Sequence, residues 1–314
     1  MSVGICTYDI SAGDLVELAR LADECGFDAL WVGEHTVLPA HHASRHPAQP
    51  GATAVHHGKA IVDPEVELVD PLVAVAAAAV ATTRIRLATG IALLPLNHPL
   101  LVARAVATLH DISGGRFVYG AGSGWLAEEF EALGVDFATR GRRFDESIEI
   151  LRRAWRGTPF SFHGEHFEFS DLRITTRPIE VPLVLGGNTG RALDRCARVG
   201  DGWLSSGNPT FEEAVHLSSR LHGLLQQHGR DPGAFRMFVR IKGITSHQVE
   251  RYAEAGIEDV VVWAHEIFEG VAPDERADAM RGAADALGIE RRSPSPVPHN
   301  GDRHMEVWGH PKVP

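Results

Sequence analysis

A short apolar run, Trp31-Val32-Gly33-Glu34-His35, ends in two adjacent ionisable side chains. If the run is a strand, its end can aim His35 into a dry pocket, and imidazole changes protonation near neutral pH. A lone histidine at such a place also serves as a structural hydrogen-bonding group, so the neighbouring segments decide what it can do. A second run, Arg84 to Ile91, places Gly90 at a strand end, where a residue without Cβ permits an unusual backbone turn against a ligand. Beyond it, Asn97 or His98 can cap a helix that has Pro99 in its first turn.

Two glycine-rich stretches follow. Gly120, Gly122 and Gly124 surround Ala121 and Ser123, so bare backbone can approach a planar or anionic ligand. The spacing lacks both the dinucleotide fingerprint with its acid and the lysine of a Walker loop. Pro182 to Leu185 then runs into Gly186-Gly187-Asn188-Thr189-Gly190 and a helix, whose free N–H groups can hold a phosphate, with Thr189 adding a hydroxyl and Arg191 a charge. The histidines His41, His42, His46, His56 and His57 invite a metal, but they show no His-x-His pair and no His-Glu-x-x-His helix. They read as a flexible polar lid. A metal-dependent barrel hydrolase remains a rival of another class, and a catalytically silent binding protein a third reading.

The elements that position these groups follow one rhythm, a short apolar run and then a stretch with helical spacing. Val3 to Tyr8 is strand-like; Leu15, Leu18, Ala19, Ala22 and Cys25 recur at helical spacing between a Ser11/Asp14 start and a Gly26 stop. A corner of Gly and an acid before an apolar strand appears at Gly26-Phe27-Asp28, Gly200-Asp201-Gly202 and Gly256-Ile257-Glu258-Asp259, and Gly there suits a left-handed helix cap. Further strands are expected over 85–91, 116–121, 182–186 and 235–241, giving eight strand/helix units. That is the count of a closed (β/α)8 barrel, an α/β fold; an open doubly wound sheet stays possible, because periodicity does not show closure. Residues 1–290 make the barrel, with an insertion over 36–69 after strand 2, a short hairpin in 160–169, and a Pro-rich tail, 291–314, expected to be disordered or a partner-binding arm.

Composition narrows the classes. With 314 residues, 44% apolar and 23% charged, the chain can bury one large core. A net charge of −11 repels phosphate backbones and anionic lipid, which argues against nucleic-acid or membrane binding. Arg152, Arg153 and Arg156 alternate with Ile150, Leu151 and Trp155, as the solvated face of a helix would. Cys6, Cys25 and Cys196 lie far apart in apolar settings, as core residues of a reducing compartment do. No signal-peptide pattern opens the chain and the longest apolar run, 72–81, is too short to span a bilayer, so a cytoplasmic protein is expected.

Together these segments resemble the luciferase-like superfamily, particularly its F420-dependent oxidoreductases. The resemblance runs from about residue 3 to about 287 outside the insertion, and rests on Gly-Phe-Asp-Ala-Leu-Trp-Val-Gly-Glu-His (26–35), Thr-Gly-Ile (89–91), Ser-Gly-Gly-Arg-Phe (113–117), Gly-Ser-Gly-Trp (122–125) and Gly-Asp-Gly-Trp (200–203) in order. It implies a deazaflavin at the C-terminal mouth of the barrel, contacted by Glu34, Ser123 and Gly124, backed by a non-prolyl cis bond at Gly90-Ile91, and held by its phosphate at Gly186, Gly187, Asn188, Thr189 and Gly190. His35 is then the proton donor or transition-state stabiliser for hydride transfer between coenzyme F420 and a small organic substrate. Trp31, Trp125, Trp263 and the lid suggest an apolar pocket. An FMN-dependent monooxygenase on the same barrel is the nearest alternative, and a homodimer is expected from the resemblance. One position departs: the family's sugar-phosphate dehydrogenases carry a catalytic carboxylate where this chain has Trp125, so the acid–base pair for oxidising a sugar hydroxyl is incomplete.

Overall fold

Ser11 and Gly26 bracket the first helix, α1 (Ala12–Cys25), as expected: the Ser11 hydroxyl accepts the Asp14 N–H, and Gly26 takes a left-handed φ of 91°. His98 caps α3 (Pro99–Ser113) by accepting the Leu100 N–H, with Pro99 at the first helical position. The computed structural model describes residues 1–46, 55, 56, 59, 60, 62, 63 and 65–290. The tail over 291–314, the middle of the 36–69 insertion, His57 and the side chain of His56 lie outside the described residues.

Eight parallel strands carry the fold: β1 (Ser2–Thr7), β2 (Ala29–Val32), β3 (Arg86–Thr89), β4 (Phe117–Gly122), β5 (Leu183–Gly186), β6 (Gly202–Leu204), β7 (Arg236–Arg240) and β8 (Asp259–Trp263). Each pairs with the next, and β8 pairs back onto β1 with Ser2 opposite Asp259 and Cys6 opposite Trp263. The sheet is closed, which excludes the open doubly wound alternative. Outside lie α1, α2 (Pro71–Ala81), α3, α4 (Ala127–Ala132), α5 (Arg140–Ala154), α6 (Gly190–Val199), α7 (Phe211–Gln227), α8 (Ser246–Glu254), α9 (Ala264–Phe268) and α10 (Arg276–Ala286). The expected hairpin is present as antiparallel strands Phe160–His163 and Glu168–Leu172. No helix among the described residues is long and apolar enough to cross a membrane.

Strand alternation sorts side chains into two apolar layers. One faces the helices, where Ile5, Leu30, Leu87, Phe117, Leu183, Val239 and Val260 join the apolar stripes of the surrounding helices in one cluster. The other fills the barrel: Cys6, Ala29, Trp31, Ala88, Val118, Val184, Leu204, Phe238 and Val261. Most of these are small, and Trp31 supplies the missing volume. A Cβ on Gly4 would stand 3.1 Å from the Trp31 Nε1, and one on Gly120 would stand 1.8 Å from the Thr89 carbonyl oxygen.

The Gly-acid corners prove to be strand ties at the N-terminal face. Asp28 accepts the Val3 N–H and Asp201 the Leu183 N–H, while Asp259 receives the Ser2 hydroxyl and the Arg236 guanidinium. Gly256 has the left-handed φ of 78° that a cap requires, but Gly200 does not, at −83°. Gly200 is needed for close approach instead: its Cβ would lie 2.9 Å from the Cys196 carbonyl oxygen. Arg116 accounts for the Ser-Gly-Gly-Arg-Phe motif. Its buried guanidinium donates to Ser113 O, Ile85 O, Ala79 O, Thr82 O and the Thr82 hydroxyl, satisfying carbonyls left over at the end of α2. The α5 arginines are more than a solvated face. Arg152 reaches Asp201 and Val199 O, and Arg153 reaches Glu149 and Ser161 O, so they tie α5 to its neighbours.

Gly120→Ala is expected to cost about 3 kcal/mol in urea unfolding, the upper range for forcing a methyl into a packed interior. Gly223→Ala, whose Cβ meets nothing within 4 Å in the middle of α7, should raise stability by up to about 1 kcal/mol. Equal effects at the two sites would refute the close-approach argument.

Candidate active site

The strand ends of the barrel open into a pocket that encloses roughly 1060 Å³, including the space open to solvent. That scale suits a ligand of several rings. Its lining brings together Glu34, His35, Gly90, Ile91, Ser123, Gly124, Gly186 and Gly187, residues spread over four segments of the sequence.

His35 stands just beyond β2 and is only 7% exposed. Its ring meets Tyr8 edge-on at 5.9 Å and Trp125 edge-on at 5.8 Å. Its Nδ1 lies 3.0 Å from Oε2 of Glu129, a fully buried carboxylate in the first turn of α4. The other oxygen of Glu129 accepts the N–H groups of Thr36 and Val37. Glu34 lines the same pocket and accepts the Leu93 N–H. Burial pushes its carboxyl up to about 7, outweighing that hydrogen bond, and the negative charges of Asp70 and Glu129 add to the rise.

The Gly90-Ile91 bond is cis, as the resemblance implied. Arg240, at the end of β7, donates through Nη2 to the Gly90 carbonyl at 2.6 Å and through Nη1 to Ser205 O, and its Nε is buried without a partner. Ile91 is what the nearby glycines accommodate. A Cβ on Gly122 would come within 2.1 Å of the Ile91 Cδ1, and one on Gly186 within 2.6 Å. Gly124 has φ +76°, and a Cβ there would press on the Phe130 ring at 2.6 Å.

The phosphate-cradle residues divide. Gly186 and Gly187 line the pocket, Gly187 with φ +119°. Asn188 instead clamps the next loop, donating to Ser206 O and accepting the Ser206 N–H, both at 2.9 Å. Thr189 caps α6 by accepting the Ala192 N–H, and Gly190 is the first residue of that helix. Trp125 and Trp263 line the pocket but Trp31 does not; it is 1% exposed, below the floor. The described part of the insertion folds over Trp125, with His42 and His46 rings 6.2 and 5.2 Å from it. Glu128 holds that segment by accepting the Ala43 and Ser44 N–H groups. Against the burial that would raise it, hydrogen bonds from Ser44 and Ala43 hold the Glu128 carboxyl at about 2. His46 is pushed down to about 4 by burial and by the charges of His35 and Arg240. Among the described residues no group of three or more His, Cys, Asp or Glu side chains is placed to hold a metal.

Glu129 and Arg240 escaped the sequence reading. Glu129 sits in an acidic helix start, Glu128-Glu129, that resembles any capped helix. Arg240 did leave a signal, a charge inside the otherwise apolar Met237-Phe238-Val239-Arg240-Ile241.

A family profile of the luciferase-like monooxygenases matches residues 3–305. The chain belongs to this family. An uncharacterized protein of Mycobacterium bovis is 31% identical over 249 residues, 79% of this chain and 83% of that protein. Two solved structures share the fold. The coenzyme F420-dependent tetrahydromethanopterin reductase of Methanopyrus kandleri has a TM-score of 0.67 at 17% identity, over 92% of this chain and 99% of that one. The FMN-bound oxygenating constituent of 3,6-diketocamphane monooxygenase, a type II Baeyer–Villiger enzyme of Pseudomonas putida, has a TM-score of 0.58 at 18% identity, over 93% and 80%. The luciferase-like family comprises oxidoreductases and monooxygenases, and these two neighbours use different ring cofactors.

The raised Glu34 carboxyl has a stability consequence. The folded chain binds that proton up to about pH 7, whereas the unfolded chain releases it near 4.5, so Glu34 withdraws stability as pH rises between the two. Glu34→Gln should match the parent protein at pH ~4 and exceed it by on the order of 1–3 kcal/mol at pH ~8 in denaturant titrations. A constant difference across that window would show that folding does not raise the Glu34 carboxyl.

Proposed function

We propose that this chain is an F420-dependent oxidoreductase that transfers a hydride between the deazaflavin and a small organic substrate. The observation that carries the reading is a buried histidine, His35, tethered by a carboxylate and lining a pocket with the Gly90-Ile91 turn. Hydride transfer to a carbon centre leaves a charge that one proton must balance, and a histidine in a water-poor pocket suits that task.

The donor set fits a phosphorylated planar ring. Gly33, Gly90, Gly124, Gly186 and Gly187 let Tyr8, Trp31, Phe130, Ile91 and Ala192 pack close beneath the pocket wall, Ile91 supplies an apolar backing for a flat ligand, and Arg240 adds a cation to the lining. Glu34 and Ser123 would hold the ring's polar edge. Gly187 and the start of α6 at Thr189 and Gly190 would hold its phosphate, with Asn188 fixing the loop. When bound, the deazaflavin supplies the hydride from the carbon that replaces the reactive nitrogen of a flavin. The chain's own part is to orient the reactants between Ile91 and His35, to exclude water with Trp125, Trp263 and the 36–46 segment, and to move a proton at His35. The identities of the motifs over 31–35 and 89–91 favour the F420 branch over FMN.

Parallel equilibrium titrations of the free protein with F420 and FMN test this, and tighter F420 binding without oxygen uptake on turnover is expected. Tight FMN binding with oxygen consumption would assign the chain to the monooxygenases. His35→Ala should cut turnover by roughly 100- to 10,000-fold while cofactor affinity changes little.

We propose further that the chain is a homodimer through α2 and α3. These helices pack together and expose Val73, Val80, Leu101 and Ile112, with Val80 77% exposed, and α2 carries no charged side chain to keep that face in water. Light scattering should give twice the chain mass, and Val80→Glu with Leu101→Glu should give a folded monomer. A monomeric parent protein would end this reading.

A further inference from the structure

We infer that Glu129 is the positioning carboxylate of this site: it decides which ring nitrogen of His35 carries the proton, and thereby turns the other nitrogen toward the reacting molecule. The inference rests on His35 as the proton-handling residue, but it concerns a property of the protein alone.

Glu129 is fully buried, so its lone pairs must be satisfied by protein groups. Its Oε1 faces the N–H groups of Thr36 and Val37, and a backbone N–H can only donate. Its Oε2 faces Nδ1 of His35 at 3.0 Å. A carboxylate in this position accepts from all three, which requires the proton of the neutral imidazole to be on Nδ1. Nε2 is then the free lone pair of the neutral ring and the acidic N–H of the protonated one. In the neutral ring it can take a proton from a substrate being oxidised; in the charged ring it can return one to a substrate being reduced. Glu129 takes no proton in either direction and stabilises the imidazolium while it lasts.

The departure at Trp125 stands. An indole there carries no proton-accepting group and touches His35 only edge-on. Glu129, four residues further along in α4, approaches the imidazole through Nδ1 and positions it without replacing that missing acid–base group. The same Glu129 pins Thr36 and Val37, the first residues of the insertion, so the orientation of His35 and the root of the lid are fixed by one group.

Glu129→Gln gives an inverted outcome that a merely structural role would not produce. The two backbone donors still require an acceptor at the Oε1 position, so the Gln carbonyl must stay there and its NH2 must face Nδ1. Nδ1 then has to accept, and the ring proton moves to Nε2. Nitrogen-15 NMR of histidine-labelled free protein, at a pH where imidazoles are neutral, reads this directly, with the His35 signals assigned through His35→Gln. The parent protein should show a protonated Nδ1 and a bare Nε2, Glu129→Gln the reverse, and Glu129→Asp the parent pattern. Turnover of Glu129→Gln should fall by roughly 100- to 10,000-fold with cofactor affinity within about threefold, as expected when a tethered histidine is held in the wrong tautomer. A proton on Nε2 in the parent protein overturns the inference, as does an unchanged tautomer in Glu129→Gln. Should Glu129→Gln fail to fold, the parent and Glu129→Asp spectra still decide. None of these spectra depends on which cofactor binds, so a failed F420 titration and a failed tautomer assignment are separate results.

Discussion

Filling the interior of a closed eight-stranded barrel is the constraint on which the rest of this structure depends. Strand ends converge on an axis that must be packed without voids, and here one indole, Trp31, occupies the centre while Gly4, Cys6, Ala29, Ala88 and Gly120 recede around it. Trp31 leans on Phe238, their ring centroids 4.8 Å apart. It also sets the depth of the pocket. A Cβ on Gly90 would lie 2.9 Å from the Trp31 Cβ, so the turn that backs the pocket can settle onto the indole only because residue 90 has no side chain. Above that turn, Ile91 rises between Gly122 and Gly186, and Arg240 holds the Gly90 carbonyl in place.

The two faces of the barrel use charged groups for opposite ends. At the N-terminal face each carboxylate is spent on structure: Asp23 accepts the N–H groups of Thr83, Arg84 and Ile85, and Asp28, Asp201 and Asp259 tie strand starts together. Arg116 is likewise consumed by five acceptors. At the C-terminal face three carboxylates lie close together in unlike settings. Glu34 is half-buried and desolvation raises it to about 7, Glu128 is fed by hydrogen bonds and stays at about 2, and Glu129 is bound to an imidazole. Separate environments let neighbouring groups of one chemical type hold different protonation states, which is what acid–base chemistry near neutral pH requires.

This division explains which parts of the site were legible from residues alone. Motifs carried by one continuous segment were readable, because the strand that bears them and the group they present are adjacent in sequence. Glu34, His35, Gly90, Ile91, Ser123, Gly124, Gly186 and Gly187 all fall on the pocket for that reason. Trp31 points into the barrel but stays off the pocket because it lies one layer deeper, under the Gly90 turn. Asn188 was identified for a ligand but is engaged by Ser206, a partner 18 positions on that belongs to another loop.

The sequence by itself determined the family, the count of barrel strands, the caps at Ser11, Gly26 and His98, and the strand ends that bear His35 and the glycines. These follow from local rules: hydrophobic period, capping chemistry and the conformational freedom of glycine. Only the tertiary structure decided that the sheet closes through β8 and β1, that Glu129 meets His35 across 94 positions of chain, and that Arg240 reaches the Gly90 carbonyl across 150. Those pairings depend on where whole elements come to rest. A glutamate in a helix start looks like any other in a local window, and an arginine in an apolar strand shows only that some acceptor must meet it; they become partners of a histidine and a carbonyl only once the barrel has brought its strand ends to one mouth.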